Sequence, residues 1–308
     1  MGNRILDAAR TLLRQTTWAR LRRVEALLLE QQQRHKREDR WRRRVRQQLD
    51  SLIRHVALQQ SSLADPAAVA SRRFRLYSQN EEDGITLALL AAAGVQSRTF
   101  VEIGSGQSGG NSAVLALDLG WSGLMVEAHR PHARKLRTLM GANPKVTVLC
   151  ERVSSAGLNA MLKAQHLTGE IDFMSIDIDS IDYWLLDALK QVSPRVLVME
   201  YNAHFGPRRA VTLPDADLPS VRPKGYFGAS LAALEKRARG KGYRLVLCEE
   251  SGVNAYFLRH DVAPEIPGRT AEEAFRPCLD GVEYLDPEEK VIDIYAVVER
   301  YRLPLVAV

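Results

Sequence analysis

The stretch FVEIGSGQSGGNSAVLALDLGWSGLMVEAH, residues 100–129, constrains the fold of this chain more than any other segment. An apolar, β-rich run (Thr99–Ile103) ends in Gly104-Ser105-Gly106. A helix begins near Asn111 and Ser112, and a second apolar run (Gly123–Glu127) follows. Two strands joined through a helix lie parallel, because only a crossover connection returns the chain to the same edge of the sheet. Glycines at the first turn let the backbone pass beneath a ligand with no Cβ in the way. The helix that follows presents unpaired N–H groups at its start. The segment therefore predicts a parallel βαβ unit with a ligand seat beyond the carboxyl ends of its strands.

The same alternation continues downstream. Strands are predicted at Val146–Cys150, Ile171–Ile176 and Arg195–Tyr201, with helices at Asn111–Leu119, Pro131–Met140, Ser155–Gln165 and Ile181–Gln191. Five strands joined by helices imply an α/β fold, a Rossmann-like doubly wound sheet with helices on both faces. A helix at Ala229–Arg239 then leads to Tyr243–Cys248 and Val253–Leu258, with the turn Glu250–Gly252 between them. That gap is too short for a crossover, so the mostly parallel sheet is expected to close with an antiparallel hairpin. Val291–Val298 reads as one more strand. Pro207–Gly225, with four prolines, reads as a long insertion that covers a bound substrate.

The chain of 308 residues carries a net charge of +6, and that charge is unevenly placed. Residues 1–60 hold 15 Lys or Arg against 6 Asp or Glu; the remainder holds 28 against 31. Residues 3–60 contain no Pro or Gly and repeat apolar positions at helical spacing, ending in the 4-3-4 series Val45, Leu49, Leu52, Val56. This predicts a basic amphipathic helix or coiled-coil extension over 1–60, followed by a linker over 61–73. A basic segment with an apolar seam of this kind serves homo-oligomerisation, a partner protein or an anionic membrane face. Nucleic acid is the poorest fit, since no aromatic or Gly-rich reader motif accompanies the arginines. No apolar run approaches a bilayer span, no secretory signal opens the sequence, and the odd cysteine count (Cys150, Cys248, Cys278) disfavours a disulfide framework. The expected compartment is the cytoplasm, including the inner face of its membrane.

Gly104, Gly106 and Gly109 also satisfy the GxGxxG pattern of dinucleotide enzymes, which on its own discriminates weakly. Glu102 separates the readings. A carboxylate two positions before the first glycine disfavours a pyrophosphate and suits the cationic amino end of S-adenosylmethionine. Glu127, at the end of the second strand, suits the ribose hydroxyls of either cofactor. With Glu102, Gly104 and Gly106 in acidic-x-Gly-x-Gly spacing, the segment resembles the first motif of class I S-adenosylmethionine-dependent methyltransferases. SQNEEDG (Ser78–Gly84), DFMSIDIDSIDYW (Asp172–Trp184) and MEYNAHFG (Met199–Gly206) are similar to segments of the FkbM-like group. The likeness covers roughly residues 74–260 and implies a methyltransferase domain there, with 261–308 as its C-terminal extension. It also implies O-methylation of a sugar, glycan or related hydroxyl-bearing small molecule. The cofactor residues expected from motif and resemblance are Glu102, Gly104, Ser105, Gly106, Asn111, Ser112, Glu127 and Asp177.

For the reacting end, His204 is the candidate base, because its ordinary pKa of about 6.5 leaves it mostly neutral at neutral pH. Asp179 is the second candidate, as base or as the group that orients the acceptor hydroxyl. Asp177 or Asp179 with Glu200 and Asn202 forms an oxygen-rich set that suits Mg²⁺. Tyr183, Trp184, Tyr201, Tyr226 and Phe227 are candidates for an aromatic wall. Two other classes of function remain open at this level: a catalytically silent fold that binds a partner, and a nicotinamide oxidoreductase.

Overall fold

The computed structural model describes residues 69, 73–216, 223, 225–278 and 293–308. The expected basic helix over 1–60 lies outside the described residues, as does most of the expected linker.

A central sheet of seven strands organises the chain. In sequence order the elements are α1 (Glu82–Ala93), β1 (Thr99–Ile103), α2 (Ala113–Leu117), β2 (Ser122–Val126), α3 (Arg130–Met140), β3 (Val146–Leu149), α4 (Leu158–Ala164) and β4 (Gly169–Ile176). They are followed by α5 (Asp182–Ala188), β5 (Val192–Glu200), β6 (Val211–Thr212), α6 (Leu231–Gly240), β7 (Tyr243–Cys248), β8 (Asn254–Arg259), α7 (Ala271–Ala274), α8 (Ile294–Arg300) and β9 (Val306–Ala307). The strand order is β3-β2-β1-β4-β5-β8-β7. β1 to β5 pair in parallel, whereas β8 is antiparallel to β5 and β7 antiparallel to β8. The fold is thus the expected doubly wound, mostly parallel sheet closed by an antiparallel hairpin. The order reverses between β1 and β4, which opens a crevice at the carboxyl ends of these strands.

Side-chain alternation divides the core in two. Phe100, Met125, Phe173, Val196, Val198 and Tyr256 face α1, α2 and α3. Val101, Ile103, Leu124, Met174, Ile176 and Leu197 face α4, α5 and α6. β1 and β4 are buried on both faces, so their apolar residues do not alternate with polar ones, and Glu102, Asp172 and Ser175 are the polar side chains they bury. α3 shows the opposite pattern: Pro131 occupies its first turn, only Ala133, Leu136 and Met140 are buried, and its basic residues face outward.

One expectation is corrected. Val291–Val298 is not a strand: the described part enters α8, whose N-cap Asp293 accepts a hydrogen bond from the Ala296 N–H at 2.9 Å. Two β-branched residues of that run, Ile294 and Val297, are buried on this helix. The described part of Pro207–Gly225, expected as an insertion over the substrate, is tied to the end of the chain. β6 pairs with β9, and a small core of Phe205, Val211, Leu213, Tyr226, Ile294 and Val297 joins the two segments. Among the described residues, no helix is long and apolar enough to cross a membrane.

Candidate functional site

The first turn is built around Gly104. Its φ is +91°, and a Cβ there would lie 1.6 Å from the Asp177 carbonyl oxygen. The turn is fixed to the next strand by hydrogen bonds from the Gly104 and Ser105 N–H groups to the Val126 carbonyl, at 2.9 and 3.1 Å. The Asp177 N–H donates to the Ile103 carbonyl at 2.9 Å. The ends of β1, β2 and β4 are therefore locked side by side. Gly106, with φ +59°, follows the turn, and a Cβ there would meet nothing within 4 Å. The turn is thus closed against Asp177 at Gly104 and open at Gly106, and Glu127 follows the end of β2. Glu127 is 8% exposed and accepts the His129 N–H at 2.6 Å through Oε1, a contact that does not use its second oxygen.

Glu102, expected from the sequence to meet the cationic amino end of the cofactor, also engages the turn that follows it. It is 1% exposed, and its carboxylate accepts the Asn111 N–H at 3.1 Å and the Ser112 hydroxyl. Burial pushes its pKa up to about 8, with those two hydrogen bonds opposing and the Asp177 charge adding to the rise. It holds the Gly-rich turn from behind. Gly110 makes this possible: its φ is +54°, and a Cβ would stand 2.2 Å from Glu102 Oε1. Asn111 and Ser112, expected among the cofactor residues, lie beside it. They belong to a 3-10 turn, Gly110–Ser112, that precedes α2, and both are buried against Glu102. The Asn111 amide donates to Ser175 Oγ at 3.1 Å. Ser105 is also interior, its hydroxyl donating to the Glu102 and Val126 carbonyls. At these strand ends Asp177 packs against Gly104, whereas Gly106 has open space beside it.

At the ends of β4 and β5, the register Ile176↔Met199 places the next pair, Asp177 and Glu200, side by side. One oxygen each from Asp177, Asp179 and Glu200 lies within 4.8 Å of the others. Burial, then the charges of Asp182 and Asp179, pushes Asp177 up to about 7. Burial and the Asp177 charge hold Glu200 well above the usual carboxylate range. Asp182 opens α5 and accepts the Ile178 and Ser180 N–H groups at 2.8 and 2.9 Å; burial raises it to about 6. Glu82, from SQNEEDG, packs against the same edge, accepting the Asn254 amide at 3.1 Å and raised by its burial.

Asn202 is not available as a cation ligand. It is fully buried, its amide donates to the Gly225 and Phe227 carbonyls at 2.6 and 2.9 Å, and its oxygen accepts the His204 N–H at 3.0 Å. Its work is to fold the chain back beyond β5. That places His204 in a half-buried 3-10 turn (Ala203–Phe205), where desolvation lowers its pKa below the ordinary histidine value. The aromatic wall is dispersed. Tyr201 and Tyr226 are 1% and 2% exposed, Tyr201 bonds Arg276 through its hydroxyl, and Tyr226 donates to the Pro304 carbonyl. Tyr183 and Trp184 make an edge-to-face pair at 5.1 Å, with the indole N–H donating to the Leu213 carbonyl at 2.7 Å.

No family model matches the chain, and no curated protein matches it. Solved structures with a similar shape include an S-adenosylmethionine-dependent methyltransferase from Clostridium acetobutylicum, at 9% identity and a TM-score of 0.36, over 55% of this chain and 87% of that one. Another is the N-terminal domain of EvdMO1, solved in the presence of SAH and D-fucose, at 14% identity and a TM-score of 0.39, over 68% and 98%. A third is the RNA methyltransferase-like protein PH1948 from Pyrococcus horikoshii, at 13% identity and a TM-score of 0.36, over 67% and 96%. The likeness is distant, and no residue role is taken from it.

Proposed function

We propose that this chain is an S-adenosylmethionine-dependent methyltransferase of the FkbM-like kind that O-methylates a sugar, glycan or related hydroxyl-bearing small molecule. The observation that carries the reading is the turn at the switch point of the sheet, closed against Asp177 at Gly104 and open at Gly106, with Glu127 following β2. The antiparallel β8–β7 closure favours it over a nicotinamide enzyme, as the sequence reading anticipated.

Glu127 would accept hydrogen bonds from the ribose hydroxyls, and Gly104 and Gly106 would let the backbone pass under the cofactor. Glu102 acts one step back, by holding the turn through Asn111 and Ser112. When bound, S-adenosylmethionine supplies an electrophilic methyl group on a sulfonium. His204 would accept the proton that the acceptor hydroxyl gives up as it takes the methyl group. Burial keeps His204 neutral at neutral pH and so able to accept it. The carboxylates of Asp179 and its neighbours would orient the acceptor. The basic segment 1–60 is taken to self-associate, which light scattering of the chain with and without it would test.

Calorimetric titration with S-adenosylmethionine, S-adenosylhomocysteine and NAD tests the cofactor. The expected result is binding of the two sulfur cofactors only, weakened about tenfold or more in Glu127→Ala by the loss of two charge-assisted hydrogen bonds. NAD binding alone would overturn the reading. His204→Ala should leave cofactor affinity within about twofold and lower turnover by about a hundredfold or more. In the wild type, turnover should hold as pH falls to 6.5 and decline only below it.

A further inference from the structure

The three carboxylates at the ends of β4 and β5 differ from an ordinary acidic edge in one respect. Glu200 is 9% exposed, and its Oε2 is buried with no hydrogen-bond partner among the described residues. The donors nearby are committed elsewhere: Ile178 and Ser180 N–H to Asp182, the Asn254 amide to Glu82, and the Asn202 amide to backbone carbonyls. The groups facing Glu200 are instead acids: Asp177 and Asp179 from the loop after β4, and Asp182 from α5. The Glu200 and Asp177 carboxyls contact each other, and once both are ionised the buried Oε2, beside two more carboxylates, lacks the compensation that buried charge requires. A cation among them supplies it.

We propose that Asp177, Asp179 and Glu200 form a binding site for one hard divalent cation of the Mg²⁺ or Ca²⁺ class. Hard cations take oxygen ligands, and two oxygens on opposite sides of Ca²⁺ stand about 4.6–5.2 Å apart, or about 4.2 Å for Mg²⁺. One oxygen from each of these residues lies within 4.8 Å of the others, so all three reach a single ion. Glu200 contributes from a rigid strand end. Asp177 is fixed through its N–H to Ile103, and Asp179 reaches in from the exposed side with φ +55°. The set omits Asn202, which the sequence pattern had included. Binding of the cation stands on this geometry alone; its role, to hold the acceptor hydroxyl and favour loss of its proton, rests on the methyltransferase reading.

The test uses the full chain, freed of metal with EDTA and titrated with Mn²⁺ alone, with free Mn²⁺ followed by its electron paramagnetic resonance signal. One Mn²⁺ per chain should bind and be displaced by excess Mg²⁺ or Ca²⁺. Glu200→Gln and Asp177→Asn should each weaken binding by at least about tenfold, a loss known even for residues that only support a metal's ligands. Glu170→Gln, whose carboxylate pairs with Arg195 and Arg259, should leave it unchanged. Absence of bound Mn²⁺ at millimolar concentration overturns the site, as does wild-type affinity in Glu200→Gln or Asp177→Asn. If the variants at these buried positions do not fold, Asp179→Asn carries the test from an exposed position, and wild-type affinity there overturns the three-ligand site. Titration with S-adenosylmethionine in EDTA separates the two claims. Mn²⁺ binding without cofactor binding keeps the site and ends the methyltransferase reading; cofactor binding without Mn²⁺ binding does the reverse.

Discussion

Asp172 lies within β4 and Asp177 directly follows it, yet their surroundings are opposite. Asp172, fully buried, accepts the Gln96, Ser97 and Arg98 N–H groups at 2.8, 2.8 and 2.6 Å, and the Ser97 hydroxyl at 3.1 Å. Asp177 meets the charges of Asp182, Asp179 and Glu82 and the carboxyl of Glu200, and its pKa rises to about 7. The first carboxylate closes the loop that leads into β1. The second belongs to a group that raises the free energy of the empty fold. Asp83 sides with Asp172, since it gathers the Leu76, Tyr77 and Ser78 N–H groups and the Ser78 hydroxyl. Donor supply, more than burial, distinguishes an acid that builds the fold from an acid kept for a ligand.

Asp172→Ala should have the largest effect on stability. Three backbone N–H groups lose their acceptor; because the loop is exposed and water can replace part of it, the expected cost is about 3 kcal/mol. That lowers Tm by about 6–12 °C for a domain of this size. Cofactor affinity should stay within about twofold, since the residue lies at the end of the sheet remote from the crevice. An unchanged melting temperature would remove the distinction between the two acids.

Glu102 stands between the extremes, with two donors and complete burial. Its folded pKa of about 8 lies above the ordinary 4.5, so its contribution to stability is fully present below pH 4.5 and is lost as pH rises through 8. Glu102→Gln should therefore flatten the fall in stability of the wild type between pH 5 and pH 9. The difference across that range should be on the order of 2 kcal/mol, read from urea midpoints at the two pH values. Equal slopes in the two proteins would show that the raised pKa belongs elsewhere.

Much of this arrangement is legible in the sequence, and the parts that are not have a common cause. β1 is read to the residue, and β2, β3, β4, β5 and β8 to within a few residues, because strands buried on both faces leave mostly apolar runs between turn signals. Gly104 is legible as a turn that only glycine fits. The hold of Glu102 on the following turn is not, because it depends on Gly110 folding over it, a contact that forms only when the 3-10 turn has closed. Asn202 reads as a ligand beside Glu200 and His204, whereas tertiary hydrogen bonds consume both ends of its amide. Asp293 did carry a signal, as an N-cap residue three positions before Ala296, but the β-branched run after it outweighed that signal in a propensity reading.

Glu200→Gln should move stability in the opposite direction from Asp172→Ala. In EDTA at pH 8, replacing one of the crowded carboxylates with a neutral amide relieves like-charge repulsion and should raise stability by about 1 kcal/mol. Tm then rises by about 2–4 °C. Added Mn²⁺ should stabilise the wild type and leave the variant's Tm unchanged, so that the order of the two melting temperatures narrows or reverses. Destabilisation of the metal-free variant would place Glu200 with Asp172, among the acids that build the fold.

The smallest effect on stability is expected at Asp179, and it resolves the comparison most finely. This residue is exposed and holds φ +55°, a conformation that Asn and Asp adopt more readily than other residues with a Cβ. Asp179→Asn keeps that preference and removes only the charge, so stability should change by less than about 0.5 kcal/mol. Asp179→Ala removes both and should cost about 1 kcal/mol through the backbone alone. Cation affinity should fall in both variants by a similar factor, because neither offers a carboxylate. Stability that separates the two substitutions while Mn²⁺ affinity does not is the pattern of a ligand carried on a strained loop. If affinity instead followed stability, losing more in Ala than in Asn, Asp179 would be acting through the shape of the loop, and the ligands would reduce to Asp177 and Glu200.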